Sequence, residues 1–593
     1  MKLVILKKIN QFLILLLIIL AFLILQATYN SSNIIYNSDA LQYPAFYRDL
    51  FWYHFPLIDW HFGEIPHFIP FISFYSFFYK ITANIFIPFF LIEIIILASI
   101  ITLILGINKI IYLGYFQQTI IPTLLVLVYL LTVNYHNYIL LHDITTSYNH
   151  IINVVFTLLA LFLLFKFWKH ESIKNCFLLF TLCFFATFSD ELLISTLTVP
   201  ILFSFILSRL AHYKPSFKLI MSIVLGSLLG MISLHTLKYH KSIVFSLRDT
   251  ETFLNFLPTF FQNYNASLVI IWFFSYLGII FLSIKIMFIP VGFQEAGKAR
   301  ASSRSGAYIK YVSSEWQQQS QNLKGDGYRT FFSYRLRSCF KKSAISNTSQ
   351  ETSKLFYLQS SIFSCFIFYL LTLPPCVIGS VLISNQFINI GSTRYLTAGL
   401  ILPIFAMVIH FYRILSQRIK VYPVLTLNII FTAILTINML GMSKDIFSTK
   451  WLHNYPEETA CADHFLPLYK THFGLSEYWT SRLVMYTSNN DFWLNNINSD
   501  GTIDLRTNRY WLLQEKNDKE KMPVYSFLVL DNIFNIKSVE KIFGTPDHIK
   551  NCKTAGFNTR EKILIYSKLS SINELNQNFK SLNKKFFIKY HSF

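Results

Sequence analysis

The side chains with most chemical capacity lie between Asn37 and Tyr79, in NSDALQYPAFYRDLFWYHFPLIDWHFGEIPHFIPFISFYSFFY. Asp39 comes first, followed by Arg48, Asp49, Asp59 and Glu64 among many aromatic residues. A carboxylate at Asp39 can serve as a general base toward a hydroxyl group, or stand as a solvated loop residue. A guanidinium such as Arg48 can hold an anionic substrate.

Three further groups carry chemistry. Ser189, Asp190 and Glu191, in FFATFSDELLISTLTVP, put two carboxylates in a short turn, where they could bind a cation or orient a substrate. The same triplet is also a good helix start, with Ser189 or Asp190 as the cap and acids in the first turn. Arg394, in NIGSTRYLTAGLILP, could clamp a phosphate bidentately or snorkel to lipid headgroups. His54, His61, His67, His142 and His150, with Asp39, Asp59, Glu64 and Asp143, could supply a divalent metal site, although no pair has ligand spacing on a helix.

The elements that must position these groups are apolar. The 593 residues are 53% hydrophobic, 17% aromatic and 14% charged, with a mean hydropathy of +0.44, which is too apolar for a soluble domain. The 60 Phe and the abundance of Ile, Asn and Lys match a coding bias towards A and T. A formal charge of +20 could suggest nucleic acid, but in a membrane protein Lys and Arg gather in cytoplasmic loops, so no nucleic-acid partner is expected.

Lys2, Lys7 and Lys8 precede an apolar run from about residue 12 to 25. The run is long for a signal peptide and lacks an A-x-A cleavage pattern, so it reads as an uncleaved first helix. Further candidate spans lie near 83–105, 119–133, 151–167, 176–188, 192–208, 219–236, 267–289, 355–384, 396–412 and 422–442. The expected fold class is an all-α polytopic membrane protein of about eleven transmembrane helices with a small carboxy-terminal α/β region. Glu93 is the acidic residue well inside a span, where it either faces a polar cavity or basic neighbour or lies nearer the interface.

Placing the amino terminus in the cytoplasm puts Lys109, Lys166, Lys169, Lys174, Arg209, Lys214, Lys218, Arg413, Arg418 and Lys420 on the same side. The loops holding Asp39, Asp143, Asp190 and Arg394, and the carboxy terminus, then face away from the cytoplasm. The domain reading is a transmembrane domain at 1–442, with a first outer loop at 27–82 and a cytoplasmic basic insertion at 290–354, followed by a non-cytoplasmic region at 443–593. The insertion loses the Phe/Ile bias and reads as a solvated linker or a segment that binds anionic lipid.

In the final region FLVLDNIF, KIFGTPDHI and KILIYSKL alternate apolar runs with turn residues, as a small α/β module does. The seven Cys include no C-x-x-C or Cys/His zinc spacing. Cys461 and Cys552 fall in the outer region, either as a disulfide or as two thiols. Asn265-Ala266-Ser267 fits a glycosylation acceptor but abuts a span. No Walker A, G-x-S-x-G or Rossmann glycine pattern occurs, which argues against an ATP-driven pump or a Rossmann-type nucleotide-sugar enzyme.

The stretches SDALQYPAFYRDL with WHFGEIPHFIPF, ATFSDELLISTLTVP, GLSEYWTSRLV, and FGTPDHI followed by ILIYSK, set in this architecture, resemble the GT-C superfamily of integral membrane glycosyltransferases and a group of bacterial membrane proteins similar to it. The resemblance covers most of the chain outside 292–352. It implies a polyprenyl-phosphate-sugar donor and a glycan, lipid or protein acceptor at the bacterial plasma membrane. It also implies a catalytic base, or metal-holding carboxylate, at Asp39. Members commonly have a second acid beside that residue; here Ser38 and Ala40 flank Asp39, so the partner would come from Asp190 or Glu191. Arg394, Arg48, Asp190 and Glu191 are the expected substrate-binding residues. No cofactor is required beyond a divalent metal that some members use. The competing expectations are a flippase or transporter for a lipid-linked glycan, for which no internal repeat is visible, and a non-catalytic envelope scaffold of the same fold.

Overall fold

A computed structural model of the chain describes residues 2–31, 38–55, 68–112, 116–136, 151–168, 170–237, 266–288, 345–383, 396–418, 421–449, 452, 454–504, 508, 510–513, 521–531 and 535–590. The apolar part is helical throughout these segments. It comprises α1 (Lys2–Ser31), α2 (Ser38–Arg48), α3 (Ser73–Thr82), α4 (Ile87–Ile111), α5 (Phe116–His136), α6 (Ile151–Phe167) and α7 (Ile173–Ser189). It continues through α8 (Val199–Leu210), α9 (Phe217–Leu237), α10 (Ala266–Phe288), α11 (Ile345–Ile383), α12 (Thr397–Arg418), α13 (Val421–Leu440) and the short α14 (Ser443–Ile446). Every span expected from the sequence falls on a helix. By length and composition 7 of the helices can cross a membrane, and four shorter apolar helices lie within 119–133, 151–167, 173–189 and 194–210. This is a multi-pass membrane protein.

Local chemistry sets several helix starts. Asn84 accepts hydrogen bonds from the backbone N–H of Phe86 and Ile87 (2.7 and 3.0 Å) at the entry to α4, where Pro88 loses no needed donor. Ser172 caps α7 by accepting from Asn175 N–H (3.3 Å). Two differences from the sequence reading appear. The span expected from 355 is part of a 39-residue helix that begins at Ile345, inside the expected insertion; 289–344 lie outside the described residues. The first outer loop contains α2 and α3, because its aromatic and aliphatic residues bury against neighbouring helices: Tyr43 meets Phe71 with ring centroids 4.2 Å apart, and Tyr75 meets Phe89 at 5.0 Å.

Cross-contacts give the helix polarity. Gly106 near the end of α4 touches Phe162 near the end of α6, so these two run parallel. Phe180 and Phe184 of α7 meet Gly226 and Gly230 of α9, again parallel. Asn153 at the start of α6 donates to Asp190 just after α7 (2.9 Å), joining opposite termini. At the end of α1, Asn30 donates to the carbonyls of Asp445 and Ser448 (2.6 and 2.8 Å), and Tyr135 at the end of α5 donates to the Asp445 carboxylate. The end of α1, the start of α4, the end of α5 and the residues after α13 therefore share one end of the bundle.

The α/β region docks at that end. Its helices are α15 (Glu457–Phe465), α16 (Tyr478–Thr487), α17 (Tyr510–Leu513), α18 (Ile536–Phe543), α19 (Leu569–Leu582) and α20 (Lys584–Tyr590). The strands β1 (Phe473–Ser476), β2 (Trp493–Asn496), β3 (Phe527–Leu530), β4 (His548–Asn551) and β5 (Lys562–Ile565) form one sheet in the order β2-β1-β3-β5-β4. β1 is parallel to β2 and β3, with Leu475 opposite both Asn495 and Leu528, and β5 is antiparallel to β3 and β4. Alternation divides the core. Phe527, Val529, Ile563 and Ile565 face one cluster, and Leu528, Leu530 and Leu564 face the other. The second face is closed by Val539, Phe543, Leu575 and Phe579 of α18 and α19. Ala45, Phe46 and Phe55 from the amino-terminal segment help to close the first. Cys461 and Cys552 form a disulfide within that first cluster, with Cα atoms 5.7 Å apart.

The α7–α9 packing depends on two glycines four residues apart. A Cβ at Gly226 would lie 2.4 Å from the Phe180 carbonyl oxygen, and one at Gly230 would lie 2.4 Å from that of Phe184. Such small residues let helix backbones approach closely in membranes. Gly226→Val is expected to cost about 1–3 kcal/mol through overpacking, seen as a lower thermal midpoint in detergent. Gly379→Ala, where nothing lies within 4 Å, should leave the midpoint unchanged. Equal midpoints for the two variants would contradict the close approach.

Candidate functional site

The amino-terminal segment and the α/β region meet around a buried charge. α2 ends at Arg48 and passes into a single π-helical turn, Asp49–Tyr53, which stops at His54 with φ of 53°. This turn directs Asp49 inward. Asp49 is fully buried and accepts from Trp511 Nε1–H (2.9 Å to each carboxylate oxygen) and from Asn508 Nδ2–H (3.1 Å). Both donors belong to the α/β region, so one carboxylate ties the two parts together.

Two guanidiniums accompany it. Arg482, on α16, is fully buried with its guanidinium 4.2 Å from the Trp511 ring centroid. Arg48 is 8% exposed and lies within 4.6–5.4 Å of the ring centroids of Tyr53, Tyr486, Trp493 and Trp511. Among the described residues the acceptor for Arg48 is the Met485 thioether, 3.4 Å from Nη2, and its buried Nε has none. Burial pushes the Asp49 carboxyl up to about 6; Arg48, the Trp511 and Asn508 hydrogen bonds and Arg482 hold it from rising further. At neutral pH it is a carboxylate between two cations.

A cleft of about 310 Å³ opens beside this cluster. One wall is Pro44, Tyr47, Arg48 and Trp52, joined by Tyr79 and Ile85 from α3 and the approach to α4; the other is Met485, Tyr486 and Ser488–Asp491 after α16. Tyr47 lies 4.6 Å from Tyr79 and 6.5 Å from Trp52 between ring centroids, and Trp52 is 56% exposed. Asp463 fixes the opposite wall: it accepts from Asn489 N–H (2.8 Å), Asn490 Nδ2–H (2.9 Å) and the Ser488 hydroxyl. The cleft therefore joins exposed aromatic faces, a guanidinium and a rigid polar loop at the end of the spanning helices.

The expected site residues occupy three places. Asp39 lies in the first turn of α2, about 13 Å along the helix axis from Arg48 at 1.5 Å per residue; its side chain is outside the described residues. Arg48 lines the cleft. Asp190 is fully buried, accepting from Asn153 and, as a cap, from Leu192 N–H (3.0 Å). Glu191 pairs with His235 at 3.6 Å. Near them Thr196 meets Thr157, and its carbonyl accepts from Tyr369, through the π-helical turn Ile194–Thr198. Arg394, Asp59, Glu64, His61, His67, Asp143, His142, His150 and Asn265 lie outside the described residues. Glu93 is fully buried in α4. Among the described residues no three His, Cys, Asp or Glu side chains converge to hold a metal.

The sequence reading did not single out Asp49 as a site residue, nor Arg482, Asn508 or Trp511. A signal for Arg482 exists: Tyr478, Ser481, Arg482 and Met485 recur at helical spacing, so the arginine falls on the stripe that must be buried. Nothing local marks Asn508 or Trp511 as partners of a residue more than 450 positions earlier. No family model, curated protein or solved structure matches the chain.

The raised Asp49 pKa has a sign in stability. Because the folded value (about 6) exceeds the ordinary 3.8, its contribution is complete below about pH 4 and is lost as pH rises through about 6. At about 1.4 kcal/mol per unit the loss is at most about 3 kcal/mol. Glu561, raised to about 7 by burial and then by Glu458, Asp531 and Glu477, adds a slope of the same sign. Asp49→Asn should therefore flatten, without abolishing, the fall in thermal midpoint between pH 4.5 and 7.5. An unchanged slope would contradict this linkage.

Proposed function

We propose that the protein is a membrane glycosyltransferase that moves a sugar from a polyprenyl-phosphate donor to an envelope acceptor, with inversion at the anomeric carbon. The observation that carries the reading is the cleft at the membrane-proximal junction, walled by the helix that begins at Ser38 and by the α/β region. The resemblance of the architecture to the GT-C superfamily, and of the SDALQYPAFYRDL, ATFSDELLISTLTVP, GLSEYWTSRLV and FGTPDHI stretches to bacterial membrane proteins similar to it, points the same way. The Cys461–Cys552 disulfide suits an oxidising, non-cytoplasmic compartment for that region, and with it a cytoplasmic amino terminus and eleven crossings of the bacterial plasma membrane.

In the proposed reaction the acceptor hydroxyl oxygen attacks the anomeric carbon while Asp39 takes its proton. The bond from that carbon to the phosphate oxygen breaks, and the lipid phosphate leaves as an anion without needing a proton. Arg394 offsets the charge that develops on the leaving phosphate, and Arg48 binds substrate. Asp190 and Glu191, in the turn after α7, would orient the donor. The polyprenyl chain would lie along the exposed apolar faces of the spanning helices.

Deletion of the gene, complemented by wild type or Asp39→Asn, followed by mass spectrometry of envelope glycans, glycolipids and glycoproteins, tests this. The deletion should remove a mass of one sugar unit. Asp39→Asn should fail to restore it, with turnover reduced at least about 10²-fold and unchanged elution of the detergent-extracted protein. Full restoration by Asp39→Asn would refute the assignment of the base. An unchanged glycan profile on deletion would refute the transferase.

A further inference from the structure

The chemistry of the cleft narrows what can bind there. Arg48 has surrendered its hydration to four aromatic rings, yet those faces accept little from its N–H groups, and its acceptor among the described residues is a thioether. Asp49 does not use those donors, since Trp511 and Asn508 occupy its oxygens. A nine-tenths buried guanidinium that lines an open cleft, with a thioether as its acceptor among the described residues, is matched by an oxyanion. Arg482 behind it leaves the cluster with one net positive charge, counting Arg48, Arg482 and Asp49 as ionised.

The remaining walls suit an occupant larger than a bare anion. Asp491 lines the same cleft and adds to its polar wall. The exposed Trp52 ring, with Tyr47 and Tyr79 inclined against it, offers an apolar face to the C–H face of a sugar ring. Asn489 and Asn490 are anchored through Asp463, so hydrogen bonding there loses little conformational freedom. The volume, about 310 Å³, is at the small end for ligand clefts.

We infer that this cleft binds an acidic saccharide unit, a pyranose bearing a carboxylate or phosphate, with its ring against Trp52, Tyr47 and Tyr79 and its anionic group on Arg48. For the proposed transferase this unit is the acceptor; that role rests on the transferase reading, whereas binding itself does not. The test uses the full-length protein in detergent and reads tryptophan fluorescence and saturation-transfer NMR. The probes are a glucuronate-containing disaccharide, glucose 6-phosphate, methyl glucoside and inorganic phosphate at up to about millimolar concentration. The acidic sugars should bind at least ten-fold more tightly than methyl glucoside and inorganic phosphate, the better of the two identifying the acidic group.

Trp52→Ala, at an exposed position, should weaken both acidic sugars at least five-fold without changing the thermal midpoint. Arg48→Gln should remove the preference for acidic over neutral sugar; should that variant not fold, Trp52→Ala and the probe series still decide. No sugar binding by folded protein overturns the inference, as does phosphate binding equal to the acidic sugars with no effect of Trp52→Ala. Binding together with unchanged glycans in the deletion strain would reject the transferase and retain the saccharide site.

Discussion

Asp49 is the point on which the junction depends. Burying a carboxylate costs several kcal/mol unless hydrogen bonds and opposite charges compensate it. Here the compensation comes from the adjacent Arg48 and, across the fold, from distant sequence: Trp511 and Asn508 donate to it, and Arg482 acts from α16. Removing any one partner leaves the others buried and under-compensated, which typically costs about 3–5 kcal/mol. The cluster thus acts as a lock that is satisfied in one docking geometry. The π-helical turn after Arg48 is part of it, because it carries the chain from α2 toward the buried position of Asp49.

The cleft follows from that lock. Docking of α2 against α16 holds Arg48 and Tyr47 opposite Met485 and the Ser488–Asp491 loop. Asp463 stiffens that loop, and the Cys461–Cys552 disulfide ties α15 to the segment following β4, on the sheet face that Ala45 and Phe46 also cover. At the other side of the segment, Tyr43, Phe71, Tyr75 and Phe89 pack it into the helical core. The site is therefore clamped between two hydrophobic cores, one in the bundle and one in the sheet region. Such support from packed elements on both sides is what holds polar groups in a defined geometry.

The polar clusters around Asp190 and around Arg48 differ in character. Asp190, Asn153, Thr157, Thr196 and Tyr369 form a buried network that joins α6, the turn after α7, and α11. Its hydrogen bonds close mostly on themselves, and Asp190 caps its own turn, as its residue types suggested. The Arg48 cluster leaves hydrogen-bonding capacity facing a cleft. The first joins helices to one another, whereas the second borders an open cleft.

The sequence by itself determined the helical character of each apolar segment, the multi-pass class and the small α/β module, because hydropathy and strand alternation are local properties that burial reads directly. It also marked the polar, aromatic-rich segment from Asn37 to Tyr79 and the residues Arg48, Asp190 and Glu191 as worth attention, since charged groups beside spans need a reason. Tertiary structure decided the rest. That Asp49 is fully buried follows from partners near residues 482–511, a relation no periodicity records. The pairing of Cys461 with Cys552, left open by composition, followed from a sheet that brings together residues 91 positions apart. The close approach of α7 and α9 at Gly226 and Gly230, and the cleft itself, exist only where separate elements meet, so their physical cause lies in packing between segments and not within any one of them.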